Sequence, residues 1–272
     1  MPELPEVETI ARQLRERQPA LLHRTIAGAD VRWAKTVATH APQAFARAIE
    51  GLRIADIGRH GKTLVITLRA ANDSPPAFLM AHLRMSGRLE VVPAGDAITK
   101  HARVVIYLDD GLALRFDDAR KFGRIWLVGD PREVLADKGP DALAISEADF
   151  VARLKKKKGA LKPILLDQRF VAGVGNIYAD ESLFRARLRP TRTASRLTRI
   201  DAARLHGVVQ AVLHEAIRAN GASFDWVYPD GNFQNNFRVY GRTGRACDVC
   251  ETPIKRILVG QRSTHFCPTC QK

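Results

Sequence analysis

The residue types and spacings that can do chemistry sit near the two termini of this 272-residue chain. Near one end lie four cysteines, arranged as Cys247-x2-Cys250, sixteen residues, then Cys267-x2-Cys270. Four sulfurs can make two disulfides or one metal site. Two close pairs in a reducing compartment favour four thiolates converging on one tetrahedral zinc. Cysteine fills every position of that shell, so the zinc is expected to be structural, and His265 is left outside it. Near the other end the sequence reads Met1-Pro2-Glu3-Leu4-Pro5-Glu6. Proline in second place permits removal of the initiator methionine and leaves a secondary amine that titrates well below a lysine, so part of it is a neutral nucleophile. Attack of such an amine on a sugar C1′ gives an iminium ion, an electron sink for elimination. Glu3 and Glu6 place two carboxylates beside it for proton transfer. The same residues are compatible with an arm that merely starts a helix.

A third tract, Gly173-Val174-Gly175-Asn176-Ile177-Tyr178, reads as a tight turn opening a helix. Outward-pointing N–H groups and the helix dipole at such a place suit a phosphate. Asn176 suits a plain helix cap equally well.

Elements that could position these residues follow from the apolar pattern. Val7, Ile10, Ala11 and Leu14 predict a helix over 5–18, and residues 42–50 a shorter one. Thr63–Arg69, Phe78–Leu83, Arg88–Val92, Arg103–Leu108, Leu112–Phe116 and Arg124–Val128 read as strands, with Asp110-Gly111 as a hairpin turn. Residues 131–150, rich in acids, Pro and Gly, read as a linker with one short helix. The pattern turns helical again over 151–219, where Ala202, Leu205, Val209, Val212, Leu213 and Ile217 mark a long helix. Residues 221–240 read as a loop, and Ile254–Val259 with Ser263–Phe266 as a hairpin stapled by zinc. The predicted fold is therefore α+β and multidomain. It has an N-terminal antiparallel β-sandwich flanked by helices (1–130), a linker (131–150), a helical domain (151–240) and a zinc-finger hairpin (241–272).

The chain carries 43 Lys+Arg against 29 Asp+Glu, a net charge of +14, of which residues 1–150 hold +1 and 151–272 hold +13. Charge so placed attracts polyanions, nucleic acid foremost, although solubility or contact with an anionic membrane would use it too. With 46% hydrophobic and 26% charged residues the chain is expected to fold rather than stay disordered. No apolar run approaches the ~20 residues of a membrane span. Glu3, Glu6 and Glu8 stand where a secretory leader would carry basic and apolar stretches, so a cytoplasmic protein is expected.

The opening PELPEVET resembles the N-terminus of bacterial formamidopyrimidine-DNA glycosylases. In that family's order follow HLRMSG (His82, Met85), DARKFG (Arg120, Phe122), GVGNIYADESLF (Gly173–Phe184), VYGRTG and GQRSTHFC (Arg262). The resemblance implies a bifunctional glycosylase and AP lyase that removes oxidised purines, such as 8-oxoguanine and formamidopyrimidines, and then cleaves the strand by β,δ-elimination. Pro2 matches the Schiff-base nucleophile, Glu3 the general acid and Glu6 a supporting carboxylate. Lys62 matches a lysine linked to phosphate contact and β-elimination. Arg262 matches an arginine that reaches the DNA backbone and is linked to δ-elimination. Met85, Arg120 and Phe122 match the trio that fills the gap left by an everted base, an apolar wedge beside a guanidinium that reads the orphaned partner. His82, His101, Lys157 and Asn176 match DNA-contact positions.

By residue type alone, Lys62 also reads as a solvated strand-edge lysine, Met85 and Phe122 as core, Lys157 as part of a diffuse basic face and Arg262 as a solvated hairpin arginine. The helical domain resembles the family's helix–two-turn–helix element. The partner implied is damaged double-stranded DNA, without a membrane, and the expected form is a monomer associated with the bacterial nucleoid. The related endonuclease VIII type, which removes oxidised pyrimidines, is the nearest alternative. Others are a non-catalytic damage-binding protein, which is expected to lack Glu3, and a zinc-ribbon transcription factor, which leaves 1–130 unexplained. One departure stands out. The segment VYPDGNFQNNFR, between Trp226 and Val239, is shorter than the Gly/Pro-containing segment that precedes VYGR in the family and caps the damaged base.

Overall fold

The computed structural model describes residues 2–72, 74–223 and 230–272. These form two compact units, one of Pro2 with Glu6–Ala136 and one of Glu3–Pro5 with Asp137–Lys272.

The first unit is a β-sandwich of two four-stranded antiparallel sheets. One has the order β1 (Ile26–Val31), β6 (Ala102–Leu108), β7 (Leu112–Asp118), β5 (Gly87–Pro93). The other runs β2 (Arg53–His60), β3 (Thr63–Arg69), β4 (Ala77–His82), β8 (Arg124–Val128). Period-two burial shows why these segments are strands: Leu64, Ile66 and Leu68 of β3, and Leu114, Phe116 and Asp118 of β7, face inward. Helix α1 (Leu4–Glu16) buries Val7, Ile10, Ala11 and Leu14 on one stripe, with Pro5 in its first turn where a missing N–H is harmless. Helix α2 (Pro42–Ile49) packs on β1, and α3 (Arg132–Leu135) closes the unit.

Two strands escape the sequence pattern for identifiable reasons. β1 reads Ile-Ala-Gly-Ala-Asp-Val, poor in β-branched residues, and only Ile26 is buried. In β2 the register slips between Ile54 and Asp56, so its two buried residues, Ile54 and Ile57, stand three apart and imitate a helix.

The second unit holds α4 (Glu147–Lys155), α5 (Leu161–Leu166), α6 (Asn176–Arg185) and α7 (Arg199–Arg218). Ser146 and Thr198 cap α4 and α7 by accepting the N–H of Asp149 and Asp201. Helix α7 lays Ala202, Leu205, Val209, Val212, Leu213 and Ala216 into the core. Residues 177–184 of α6 are buried on every face, so α6 is the unit's central rod. A hairpin of β9 (Lys255–Val259) and β10 (Arg262–Phe266) turns through Gly260-Gln261, both at positive φ, as a tight two-residue turn requires. A short 3-10 turn over Phe233–Asn236 lies inside the segment expected to be loop. The first part of the segment VYPDGNFQNNFR, residues 227–229, lies outside the described residues. Among the described residues no helix is long and apolar enough to cross a membrane.

Candidate active site and zinc centre

Glu3 is buried against the start of α6. Its Oε1 accepts the N–H of Ile177 (3.0 Å) and its Oε2 that of Tyr178 (3.4 Å). These are helix N-terminal donors that have no intrahelical partner. Both glycines of Gly173-Val174-Gly175 are explained by this approach. A Cβ on Gly175 would lie 2.3–2.6 Å from the Glu3 carboxylate, and one on Gly173 would lie 2.5 Å from Leu4 Cδ1. The expectation that this turn offers outward N–H groups to a phosphate is thus corrected: a carboxylate of the same chain takes the N–H groups of Ile177 and Tyr178. Asn176 begins the helix, and its side chain hydrogen-bonds the Tyr240 hydroxyl. Burial pushes that hydroxyl up, and the bond to Asn176 opposes the shift.

Two further carboxylates sit inside α6, and the sequence motifs did not single them out. Asp180 pairs with Lys162 at 2.6 Å, both side chains being 0% exposed. Lys162 also donates to the carbonyl of Ser263 on β10 (2.6 Å), and Asp180 Oδ2 accepts the backbone N–H of His265 (2.9 Å) and lies 3.2 Å from its Nδ1. Burial pushes the Lys162 ammonium down, and the Asp180 carboxylate, with a smaller contribution from Glu3, opposes it. Glu181 accepts the backbone N–H groups of Arg238, Val239 and Tyr240 at 2.8–3.1 Å. Burial pushes its carboxyl up and those three donors hold it back. A lysine inside the apolar run Leu161–Leu166 was the available sign that a buried counter-charge must exist.

Arg262 opens β10 and is exposed, on a strand that Asp180 and Lys162 fix to α6. Lys157 is placed elsewhere, ion-paired with Asp167 at 3.2 Å. The four cysteine sulfurs all lie within 4.8 Å of one another, and none forms a disulfide. Their closer separations, 3.3, 3.4 and 3.9 Å, bracket the about 3.8 Å edge of a tetrahedron with Zn–S bonds of about 2.3 Å. The Thr252 hydroxyl and backbone bring the Cys250 thiol down to about 6, whereas burial and the neighbouring sulfurs push Cys267 and Cys270 up, so four thiolates this close need a cation among them. The cluster fits one structural zinc.

In the sandwich unit Pro2, Glu6 and Lys62 are buried. Lys62 occupies the two-residue turn Gly61-Lys62 between β2 and β3, and burial removes the solvated alternative. Thr63 beside it pairs with His82 on β4, and His82 Nδ1 accepts the N–H of Arg84 (3.1 Å). Met85 and Phe122 are 44% and 49% exposed, so neither is core. Arg120 is exposed, with its guanidinium 4.9 Å from the Phe122 ring centroid. The carbonyl of His101 accepts the N–H of Asp118 (2.9 Å) at the base of the loop that carries Arg120 and Phe122.

Comparison with known proteins agrees with this layout. Residues 1–125 match the family model of the formamidopyrimidine-DNA glycosylase N-terminal domain, 138–226 its H2TH domain and 244–272 the zinc finger found in FPG and IleRS. A formamidopyrimidine-DNA glycosylase of Herpetosiphon aurantiacus is 42% identical over an alignment of 280 positions, covering all of both chains. Lactococcus lactis Fpg in complex with abasic-site DNA superposes with a TM-score of 0.89 at 32% identity, covering 99% of each chain. The same protein with DNA containing FAPY-dG gives 0.89 at 32% identity, covering 99% of this chain and all of that one. Fold and site together define a DNA glycosylase acting on damaged DNA, built from a β-sandwich, a helix–two-turn–helix unit and a zinc finger. Within that class, the chain belongs to the formamidopyrimidine-DNA glycosylase family.

Two outcomes are expected. Metal analysis should find one zinc per chain, and chelation should abolish amide-exchange protection in β9 and β10 while the sandwich strands keep theirs, because so small a hairpin has almost no core. Hairpin protection that survives loss of the metal would contradict a structural role. Asp180→Asn should lower stability by about 3–5 kcal/mol in urea denaturation by stranding Lys162, and adding Lys162→Met should recover most of that loss. Equal losses in the single and double variants would show that the pair does not act as a unit.

Proposed function

We propose that this protein is a bifunctional DNA glycosylase and AP lyase for oxidised purines. The observation that carries the reading is the buried Glu3 carboxylate, held on the N-terminus of α6 one residue after the expected amine. Once Met1 is removed, the Pro2 nitrogen attacks C1′ of the damaged nucleotide. The N–C1′ bond forms as the glycosidic bond breaks and the base leaves with that electron pair, taking a proton from water. The Glu3 carboxylate takes the proton that the proline nitrogen gives up and delivers it to the ring oxygen, so the deoxyribose opens to the iminium. The resulting iminium makes the 2′ hydrogen acidic, so the 3′ phosphate leaves by β-elimination and the 5′ phosphate by δ-elimination. Glu6 supports this centre, Lys62 assists the first elimination and Arg262 the second. Met85, Arg120 and Phe122 fill the space vacated by the everted base, their exposure leaving them able to enter a duplex. His82, His101, Lys157 and Asn176 contact DNA. Cys247, Cys250, Cys267 and Cys270 hold the zinc that shapes the finger. We assign 1–130 to the catalytic domain, 131–150 to a linker, 151–240 to DNA binding and 241–272 to the finger. The protein works as a monomer on damaged duplex DNA in the cytoplasm, at the nucleoid.

Duplexes carrying 8-oxoguanine, formamidopyrimidine or thymine glycol, incubated with and without borohydride, test the reading. The purine lesions should be excised and the strand cut on both sides, leaving a one-nucleotide gap. Borohydride should trap a covalent complex whose adduct mass spectrometry places on Pro2. Preference for thymine glycol would instead favour the endonuclease VIII type. An adduct on a lysine, with the N-terminal peptide unmodified, would overturn the Pro2 assignment.

A further inference from the structure

Met85 and the pair Arg120 and Phe122 lie on two separate loops, 84–86 and 119–123, which follow β4 and β7. Neither loop has a core of its own, yet one buried group joins them. Asp118, the last residue of β7, continues the inward-facing row of Leu114 and Phe116 and is 1% exposed. Its Oδ1 accepts the Ser86 hydroxyl (2.5 Å) and the backbone N–H of Arg120 (3.2 Å), and its Oδ2 accepts the N–H of Gly123 (2.7 Å). Ser86 Oγ in turn lies 3.3 Å from the same Arg120 N–H. The first loop is thus tied by the residue after Met85, and the second by residues at both ends of Arg120–Gly123. Phe116 forms the floor beneath both: a Cβ on Gly87 would lie 3.0 Å from its ring, and one on Gly123 would lie 2.4 Å from it. Arg103 Nε holds the Asp118 carbonyl (2.7 Å), so the strand end cannot rotate to release the carboxylate. Lys121, at positive φ at the loop tip, lies over the Trp33 ring at 4.0 Å.

We propose that Asp118, acting through Ser86, is a positioning residue that makes the two loops one rigid part, so that Met85, Arg120 and Phe122 enter the duplex together and Arg120 is aimed at the partner base. The proposal rests on the functional reading above. A buried carboxylate that accepts three donors from two loops resists separation of those loops, because each abandoned donor or lone pair loses a charge-assisted bond. An arginine discriminates partner bases only if its donors arrive in fixed directions. Without the clamp Arg120 still reaches the duplex, but over a spread of orientations.

Ser86→Ala removes the bridge without touching the carboxylate, and Ser86→Thr keeps the hydroxyl. Amide exchange, measured without DNA, should quicken about tenfold at Gly123 and at Arg120, the latter 34 residues from the substitution, in Ser86→Ala, and return towards wild type in Ser86→Thr. Under single turnover, the preference for 8-oxoguanine opposite C over A should fall about tenfold in Ser86→Ala and recover in Ser86→Thr. Asp118→Asn should show the larger effect on both readouts; where it fails to fold, the Ser86 pair decides. Unchanged exchange at Arg120 and Gly123, with full C-over-A preference in Ser86→Ala, would overturn the proposal. A wild-type protein that excises no purine lesion would remove the functional reading instead, and the exchange measurement would still decide whether the clamp exists.

Discussion

The contact between the Glu3 carboxylate and the first N–H groups of α6 is the constraint on which the second unit is arranged. A helix buried on all faces cannot slide or turn without opening its core, so groups attached to it inherit its precision. Three carboxylates use α6 in this way. Glu3 brings residues 3–5 to its N-terminus, Asp180 brings β10 through Lys162 and His265, and Glu181 brings residues 238–240. Each is buried, and each is satisfied by groups from a different stretch of sequence. Net attraction in a buried ion pair is modest, because desolvation offsets it. The large quantity is the penalty for leaving such a charge unpaired, several kcal/mol in each case. Geometry is therefore enforced by the alternatives being worse.

That logic gives three segments of the second unit a common reference. The arm with the expected acid, the strand with Arg262 and the segment around Tyr240 are referenced to one helix. In the sandwich unit, Lys62 is set by a two-residue hairpin turn and His82 by the neighbouring strand, with Thr63 and His82 as register partners. Sites built on strands and a buried helix hold their atoms more tightly than sites on free loops, and acid–base work needs that tolerance.

Much of this was legible in the sequence, and the misses have physical causes. Strands β3 and β8 stand at the bounds read from the apolar pattern, and α7 and the zinc hairpin lie within a few residues of theirs, because period-two and helical burial are local signals. The spacing of the cysteine pairs, taken with a reducing compartment, pointed to a metal. β1 and β2 went unread because one is made of weak strand formers and the other carries a bulge that disguises its period. The Gly-rich turn was recognised as a helix start, but its occupant was not. Nothing local tells a phosphate from a carboxylate 174 residues away in sequence. Asp180 and Glu181 were hidden for the same reason, since a charged side chain on a helix reads as a solvated face until its partners are in place.

The most direct test of this account is Gly175→Ala. Gly175 has φ −128° and ψ −160°, backbone that alanine adopts without strain, so any effect comes from the new methyl meeting the Glu3 carboxylate. On the role proposed for Glu3, single-turnover release of 8-oxoguanine should slow about a hundredfold when its carboxylate is displaced by about 1 Å, while circular dichroism and zinc content stay those of the wild type. Base release within about threefold of wild type would show that the hold of α6 on Glu3 does not set the chemistry, and the central claim would be wrong.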